Sequence, residues 1–300
     1  MKGNRLIVFV KEPRPGRVKT RLIARLGAER AAEFYRAMAG DALDAACGAV
    51  TALCRGTGDK EWAGLALAYD PPGAEAAIRA WLGRQLSDWL GPSGRAGSGP
   101  DGAPGHDYWL QPGGDLGRRM AATFVRAFSS AGRGKDRGPL LAATNPKVER
   151  AVLMGSDLPL VASRDIVRAF ELLAPGPDGH DAVLGPCPDG GFWCVGFRAA
   201  AFRLDVFDGV PWSTADTAGA ALARLKALGM RTALAPETLD VDTVEDVAKL
   251  RRALFESPEQ PDGRTGEQTE GRALETRAPR TARMLAGMPD DSGSLAAPRD

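Results

Sequence analysis

"RLIVFVKEPRPGRVKTRL", Arg5 to Leu22, opens as a strand and then turns basic. The run "LIVFV" is short, apolar and rich in β-branched residues, and Pro13 and Pro15 end it, so the sequence predicts a buried strand here. Beyond it Lys11, Arg14, Arg17, Lys19 and Arg21 crowd one loop, opposed only by Glu12. The whole chain carries a net charge of only +1. The cations are therefore a local feature, with no general pull toward nucleic acid or an anionic membrane. They suit phosphate groups, and Gly16 lets the backbone come close to one. The spacing is neither that of a P-loop nor G-x-G-x-x-G, so a solvated basic loop is the alternative that the spacing alone leaves open.

Outward from this stretch, helical and strand patterns alternate. "AERAAEFYRAMAGDALDAAC" (Ala28–Cys47) repeats apolar residues at helical spacing, "LALAYD" (Leu65–Asp70) reads as a strand and "EAAIRAWLGRQL" as a helix. "YWLQ", "RAVLMGSD", "DAVLGPCP", "GFWCVGF" and "RTALAPETLDV" are further strands. "DLGRRMAATFVRAF", a helix beyond Ser163 as its cap, "TADTAGAALARLKALG" and "DTVEDVAKLRRAL" are helices, the last opened by Thr243 with Asp246 three residues on. Alternation of this kind predicts an α/β fold with a mostly parallel central sheet and helices on both faces.

Two Gly/Pro/Ser-rich insertions, at about 91–107 and 129–147, read as flexible. From Ser257 to Asp300 there is no Val, Ile or aromatic residue, so this tail is expected to be disordered and dispensable. One domain over residues 1–256 is expected. No apolar run approaches the ~18 residues of a membrane span. The start lacks the apolar length and cleavage site of a signal peptide, which points to the cytoplasm. Cys47, Cys54, Cys187 and Cys194 form two pairs seven residues apart, wider than zinc spacing, and read as reduced thiols. His106 and His180, the only histidines, make a Ser-His-Asp or Cys-His enzyme improbable and suit solvated or capping roles.

Carboxylates gather where the sheet would bind ligands, beyond the carboxyl ends of its strands. Asp157 of "GSDLP" ends one strand; Asp240 and Asp242 of "DVD" end the last. Facing a basic loop, such hard oxygen ligands suit Mg²⁺ or Mn²⁺ bridging a diphosphate. Each has a plainer alternative, since Asp157 or Asp242 could cap a helix. Asp189 precedes Gly190 and Gly191, which would let a group approach the backbone closely. In "PWSTAD" the hydroxyls suit an N-cap, and Trp212 is a loop plug or a stacking platform.

Six ordered motifs carry a more specific likeness: "FVKEPRPGRVKTRL", "GGDLGRRM", "VLMGSDLP", "LGPCPDGGFWCVGF", "PWST" and "LDVDTVEDV". From about Lys2 to Leu254 the chain resembles the GT-A-type nucleotide-diphospho-sugar transferase superfamily, in particular a branch formerly known only as a domain of unknown function and linked to arsenosugar biosynthesis as a glycosyltransferase. The resemblance implies a Rossmann-like sheet with a nucleotide over its amino-terminal half. It implies that Lys11, Gly16, Arg17, Lys19, Arg21, Asp115 and Arg119 meet the nucleotide and its phosphates. It places the metal on Asp157, Asp242 and Asp240, chemistry at Asp157, Asp189 and Lys19, and the sugar or acceptor at Asp189, Gly190, Gly191 and Trp212. The sequence departs from the pattern twice: only Ser156–Asp157 stands where D-x-D is usual, and Pro13 and Pro15 stiffen a loop that is glycine-rich in nucleotidyltransferases.

The expected activity is transfer of a sugar from a nucleoside diphosphate to a small acceptor, with Mg²⁺ or Mn²⁺ at the diphosphate. The alternative is a nucleotidyltransferase acting on an NTP and releasing pyrophosphate. A non-catalytic nucleotide-binding module comes third. No nucleic-acid partner is expected.

Overall fold

The structure is a computed structural model that describes residues 2–55, 61–90, 105–129, 148–256 and 278–288. Strands are β1 (Lys2–Lys11), β2 (Glu61–Asp70), β3 (Gly105–Leu110), β4 (Val148–Met154), β5 (Ala182–Pro186), β6 (Phe192–Arg198) and β7 (Thr232–Leu234). Helices are α1 (Ile23–Leu26), α2 (Ala28–Arg55), α3 (Glu75–Leu90), α4 (Leu116–Phe128), α5 (Ser163–Leu172), α6 (Thr217–Ala227), α7 (Val244–Phe255) and α8 (Pro279–Ala286). The strands form one sheet in the order β3-β2-β1-β4-β6-β5-β7. Only β6 runs antiparallel to its neighbours among the described strands. The fold is thus the expected α/β one, Rossmann-like and of the GT-A type, with a mostly parallel sheet.

Contacts divide the chain into two compact units, where the sequence suggests one domain and a tail. The first is Met1–Glu12, Leu43–Ser156 and Val161–Thr238; the second is Pro13–Ala42, Asp157–Leu160 and Leu239–Asp300.

The first unit holds the sheet. β1 lies between β2 and β4, with Leu6 opposite Leu65 on one side and Val152 on the other. Both its faces are covered, which is why it reads as an unbroken apolar run: Leu6, Ile7, Val8 and Val10 are all buried. Burying each such side chain contributes about 1.5–3 kcal/mol. From β1 the sheet grows to β2 and β3 on one side and to β4 on the other, so the topological switch point lies at β1 and β4. The chain leaves these two strands toward the basic loop and toward Asp157, respectively. Phe124 of α4 packs edge-on against Phe197 of β6, centroids 5.0 Å apart. Buried Arg5 is held by Asp107 at 3.0 Å and lies over the rings of Trp62 and Trp109.

The second unit has its own core, in which Leu22, Phe34, Met38, Val241, Leu250 and Leu285 meet. α2 spans both units. By length and composition it could cross a membrane, although charged residues interrupt its apolar runs. More than half of its most apolar window is buried inside the protein, as in the core helix of a soluble fold.

Several expectations need correction. The segment 91–107 is not all insertion, because Gly105–Asp107 begin β3, paired with Gly64, Leu65 and Ala66. The rest of both insertions, residues 91–104 and 130–147, lies outside the described residues. The last strand is far shorter than "RTALAPETLDV". Pro236 has no N–H for the ladder, and only isolated bonds from Ala235 to Leu184 and from Thr238 to Pro186 continue toward β5. Asp240 and Asp242 therefore sit in a loop, not at a strand end. Ser163 does not cap α5; it is the first helical residue and donates to the Ala45 carbonyl at 2.9 Å, while Asp165 accepts from the Ala162 amide. The tail is not structureless throughout, since residues 279–286 form α8, with Leu285 fully buried. Residues 257–277 and 289–300 of the tail lie outside the described residues.

His180 has the capping role foreseen, its backbone N–H and Nδ1 both lying at the Leu172 carbonyl. His106 is not solvated. It is buried in β3, and burial pulls its pKa below the ordinary value of about 6.5. The unfolded chain then takes up the proton first, so this contribution to stability is complete above about pH 6.5 and is lost as pH falls through the folded-state value. His106→Phe should flatten that part of the melting-temperature profile between pH 7.5 and 5. An unchanged profile would contradict it.

Candidate functional site

In the second unit, Lys19, Asp157, Asp240 and Asp242 come together. Lys19 occupies a left-handed backbone conformation (φ 46°) at the start of a single 3-10 turn, Thr20–Leu22. Its carbonyl accepts from the Leu22 amide at 2.9 Å, and buried Val18 and Leu22 flank it as apolar pins. These pins carry the ammonium inward. The Lys19 side chain is only 2% exposed, and its Nζ lies 2.8 Å from Asp157 Oδ2 and 2.7 Å from Asp242 Oδ1. Burial alone would lower its pKa, but Asp157, Asp242 and Asp240 outweigh burial and hold it above the ordinary lysine value. Lys19 is thus a fixed cation at any ordinary pH.

The carboxylates are held from behind. Val241, buried between Asp240 and Asp242, donates its amide to the Asp157 carbonyl at 3.2 Å, which ties the two acidic loops together. Thr243 and Asp246 form the capping box read from the sequence, and Asp246 Oδ2 also accepts from the Asp242 amide. Burial opposes ionisation of Asp246, but bonds from Lys249, Thr243 and the Asp242 amide win and lower its pKa. Because this pair caps α7, the Asp242 carboxylate is left for Lys19. Asp157 likewise caps no helix: α5 begins six residues later. One carboxylate oxygen from each of Asp157, Asp240 and Asp242 lies within 4.8 Å of the others. Asp157 Oδ1 is buried with no hydrogen-bond partner. A compact, hard-oxygen donor set that includes the unsatisfied buried Asp157 Oδ1 fits a divalent cation of the Mg²⁺ or Mn²⁺ kind.

The rest of the basic loop is open. Arg17 and Arg21 are exposed and pair with no carboxylate among the described residues, and Gly16 has φ +78° with open space where a side chain would start. Lys11, in the first unit, is exposed at the end of β1.

The first unit contains the other candidates. Arg119 donates to Gln111 Oε1 and lies 3.9 Å from Asp70. Gln111 in turn bonds the carbonyls of Ala68 and Val10, so this guanidinium is braced on the ends of β1 and β2. Gln111 and Asp70 carry no site signal in the sequence beyond ending the strand-like runs "YWLQ" and "LALAYD". Asp115 caps α4 through the Arg118 amide. Asp189 is exposed and accepts from the Gly191 amide, shaping the turn between β5 and β6. The group that comes close to Gly190 (φ +84°) is the Ala215 carbonyl of the same chain, 1.9 Å from where a Cβ would stand. Trp212 is half-buried, packed on Phe207 and Phe192 and seated on Gly117, which leaves part of the indole at the surface.

The sheet defines a GT-A-like α/β fold, and comparison with known proteins narrows it. The chain belongs to the family described as "Uncharacterized protein conserved in bacteria (DUF2064)", whose pattern matches residues 55–214. Its structure is similar to the crystal structure of a proposed nucleotide-diphospho-sugar transferase from Desulfovibrio desulfuricans G20, with 29% identity, a TM-score of 0.61, and coverage of 94% of this chain and 96% of that one. More distant likenesses include a 4-diphosphocytidyl-2C-methyl-D-erythritol synthase from Anaerococcus prevotii DSM 20548 (11% identity, TM-score 0.44, 84% and 98% covered). Another is a cytidylyltransferase from Leptospira borgpetersenii serovar Hardjo-bovis (11%, 0.41, 97% and 99%). Likeness at that level says nothing of the reaction. No curated protein matches the sequence.

Proposed function

We propose that this protein is a nucleotide-sugar-dependent glycosyltransferase that uses a divalent cation at the donor's diphosphate and transfers the sugar to a small acceptor. The observation that carries the reading is the gathering of Lys19, Asp157, Asp240 and Asp242. A divalent cation bound there supplies neutralising charge to a departing nucleoside diphosphate. The similar Desulfovibrio protein supports the same class of donor. Asp157, Asp240 and Asp242 hold the cation, and Lys19 balances the carboxylates until phosphate arrives. Gly16, Arg17 and Arg21 present a backbone and two charges to the phosphates. Lys11, Asp115 and braced Arg119 serve the nucleotide, with Asp115 acting through the α4 terminus it caps. Asp189, Gly190, Gly191 and Trp212 form the sugar or acceptor side, with the exposed part of the indole as a stacking surface. An arsenosugar-type product is the finer reading that the motif likeness suggests. The free cysteines fit a reducing, cytoplasmic compartment.

Nucleotidyl transfer is the second reading. It is favoured by the buried position of Lys19 among the acids, where one fixed cation could neutralise an α-phosphate. The test is a screen of the purified protein against nucleotide sugars and NTPs with small-molecule acceptors and Mn²⁺. Release of a nucleoside diphosphate is expected. Pyrophosphate would establish the second reading, and binding without turnover would leave a nucleotide-binding module.

A further inference from the structure

α8 is held at both ends by charged groups that earlier helices supply. Asp41, on α2 and buried, accepts from the Thr281 amide at 2.8 Å, from Thr281 Oγ1 at 2.7 Å and from the Arg280 amide at 3.2 Å. It therefore caps the amino end of a helix remote in sequence. The Arg280 guanidinium adds a fourth bond to the same carboxylate at 3.3 Å, and the side chain passes close over Gly40, where a Cβ would come within 2.8 Å of Arg280 Cδ. At the other end Arg251 of α7 donates to the carbonyls of Leu285 and Met288 at 2.8 and 3.0 Å. Ala278, just before the helix, and Leu285 enter the core that contains Leu22 and Val241.

Those two core residues are the ones that aim the acidic cluster. Leu22 closes the turn that buries Lys19, and Val241 links the Asp240–Asp242 loop to Asp157. We propose that α8 is a positioning element of the Lys19–aspartate cluster. Its docking sets the two loops that carry Lys19 and Asp240–Asp242, so cation and diphosphate affinity depend on a tail helix beyond α7. The proposal rests on reading that cluster as a cation site.

The test uses the full-length protein with Leu285→Asp, which puts a charge into the apolar slot, and Leu285→Met as the conservative control. Hydrogen exchange is followed in peptides covering residues 17–24, 239–243 and 278–288 and the strands of the first unit. In Leu285→Asp, exchange should rise at least tenfold in the first three and stay unchanged in β1 and β4. Affinity for Mn²⁺ with inorganic pyrophosphate should fall at least tenfold, and Leu285→Met should match wild type in both. Thr281→Val, which removes only the hydroxyl bond to Asp41, should move both readouts in the same direction by less, and decides the matter if Leu285→Asp does not fold. The proposal is overturned if 278–288 exchanges freely while 17–24 and 239–243 stay protected. It is also overturned if exchange rises equally throughout, or if Mn²⁺ affinity is unmoved when those loops loosen. Should wild type bind no Mn²⁺ with pyrophosphate, the cation reading falls, and the exchange pattern still decides whether α8 positions the loops.

Discussion

Lys19→Met is expected to destabilise the protein by about 2–4 kcal/mol, and Mn²⁺ is expected to restore much of that loss. Removing one partner of a buried ion pair typically costs about 3–5 kcal/mol, because the remaining charge is left without compensation. Here the ammonium is buried, but its partners Asp157 and Asp242 are 32% and 48% exposed, so water softens the penalty. Methionine keeps the stem's apolar packing and removes only the charge. Three carboxylates then repel one another with nothing between them, and a dication that binds the cluster relieves this in proportion to its occupancy. The wild-type contribution of Lys19 should be constant from neutral pH to about 10, because a raised lysine pKa gives a contribution that is complete below the unfolded value of 10.5 and is lost as pH rises from there through the folded-state value. Thermal melts of both proteins with and without Mn²⁺ make the check. A variant as stable as wild type and indifferent to Mn²⁺ would remove the cluster from the functional account.

Asp157→Asn carries the second large effect. Asparagine keeps the shape and can still accept from Lys19 through its amide oxygen, so the fold should survive with a melting temperature within several degrees of wild type. The unit charge is gone, and with it the carboxylate whose Oδ1 is buried without a hydrogen-bond partner. Turnover in the nucleotide-sugar assay should fall by about 10²–10³, the usual cost of losing charge stabilisation at a developing anion. The mutual strengthening of Mn²⁺ and nucleotide binding should vanish. Steady-state kinetics and a binding titration with each ligand test both parts. Retained turnover and coupling would show that Asp157 serves only to hold Lys19.

The strongest sequence signals were local ones. The β1 run is apolar because both its faces are covered, and Pro13 and Pro15 end it where the structure does. The Thr243–Asp246 capping box needs only residues three apart, and it formed as read. Asp157, Asp240 and Asp242 were legible as a set because each follows a strand-like run. Their actual support was not: β7 stops at Leu234, and the acids are placed by the Val241 amide and by Lys19 from the far end of the chain. Pro236 was a visible signal against a long strand. Composition misled most in the tail. The lack of Val, Ile and aromatic residues hid α8, whose docking rests on Leu285 and Ala278, on Ala282, Met284 and Met288 packed beside them, and on Asp41 and Arg251.

Titration of Mn²⁺ into the protein, alone and with a saturating nucleoside diphosphate, tests most directly whether Asp157, Asp240 and Asp242 form a cation site that works on a diphosphate. Binding should be weak alone and at least tenfold tighter with the nucleotide, and the nucleotide should gain the same factor from Mn²⁺, because the coupling is reciprocal. Equal nucleotide affinity with and without Mn²⁺ would contradict it and leave a site built on Lys19, Arg17 and Arg21 alone.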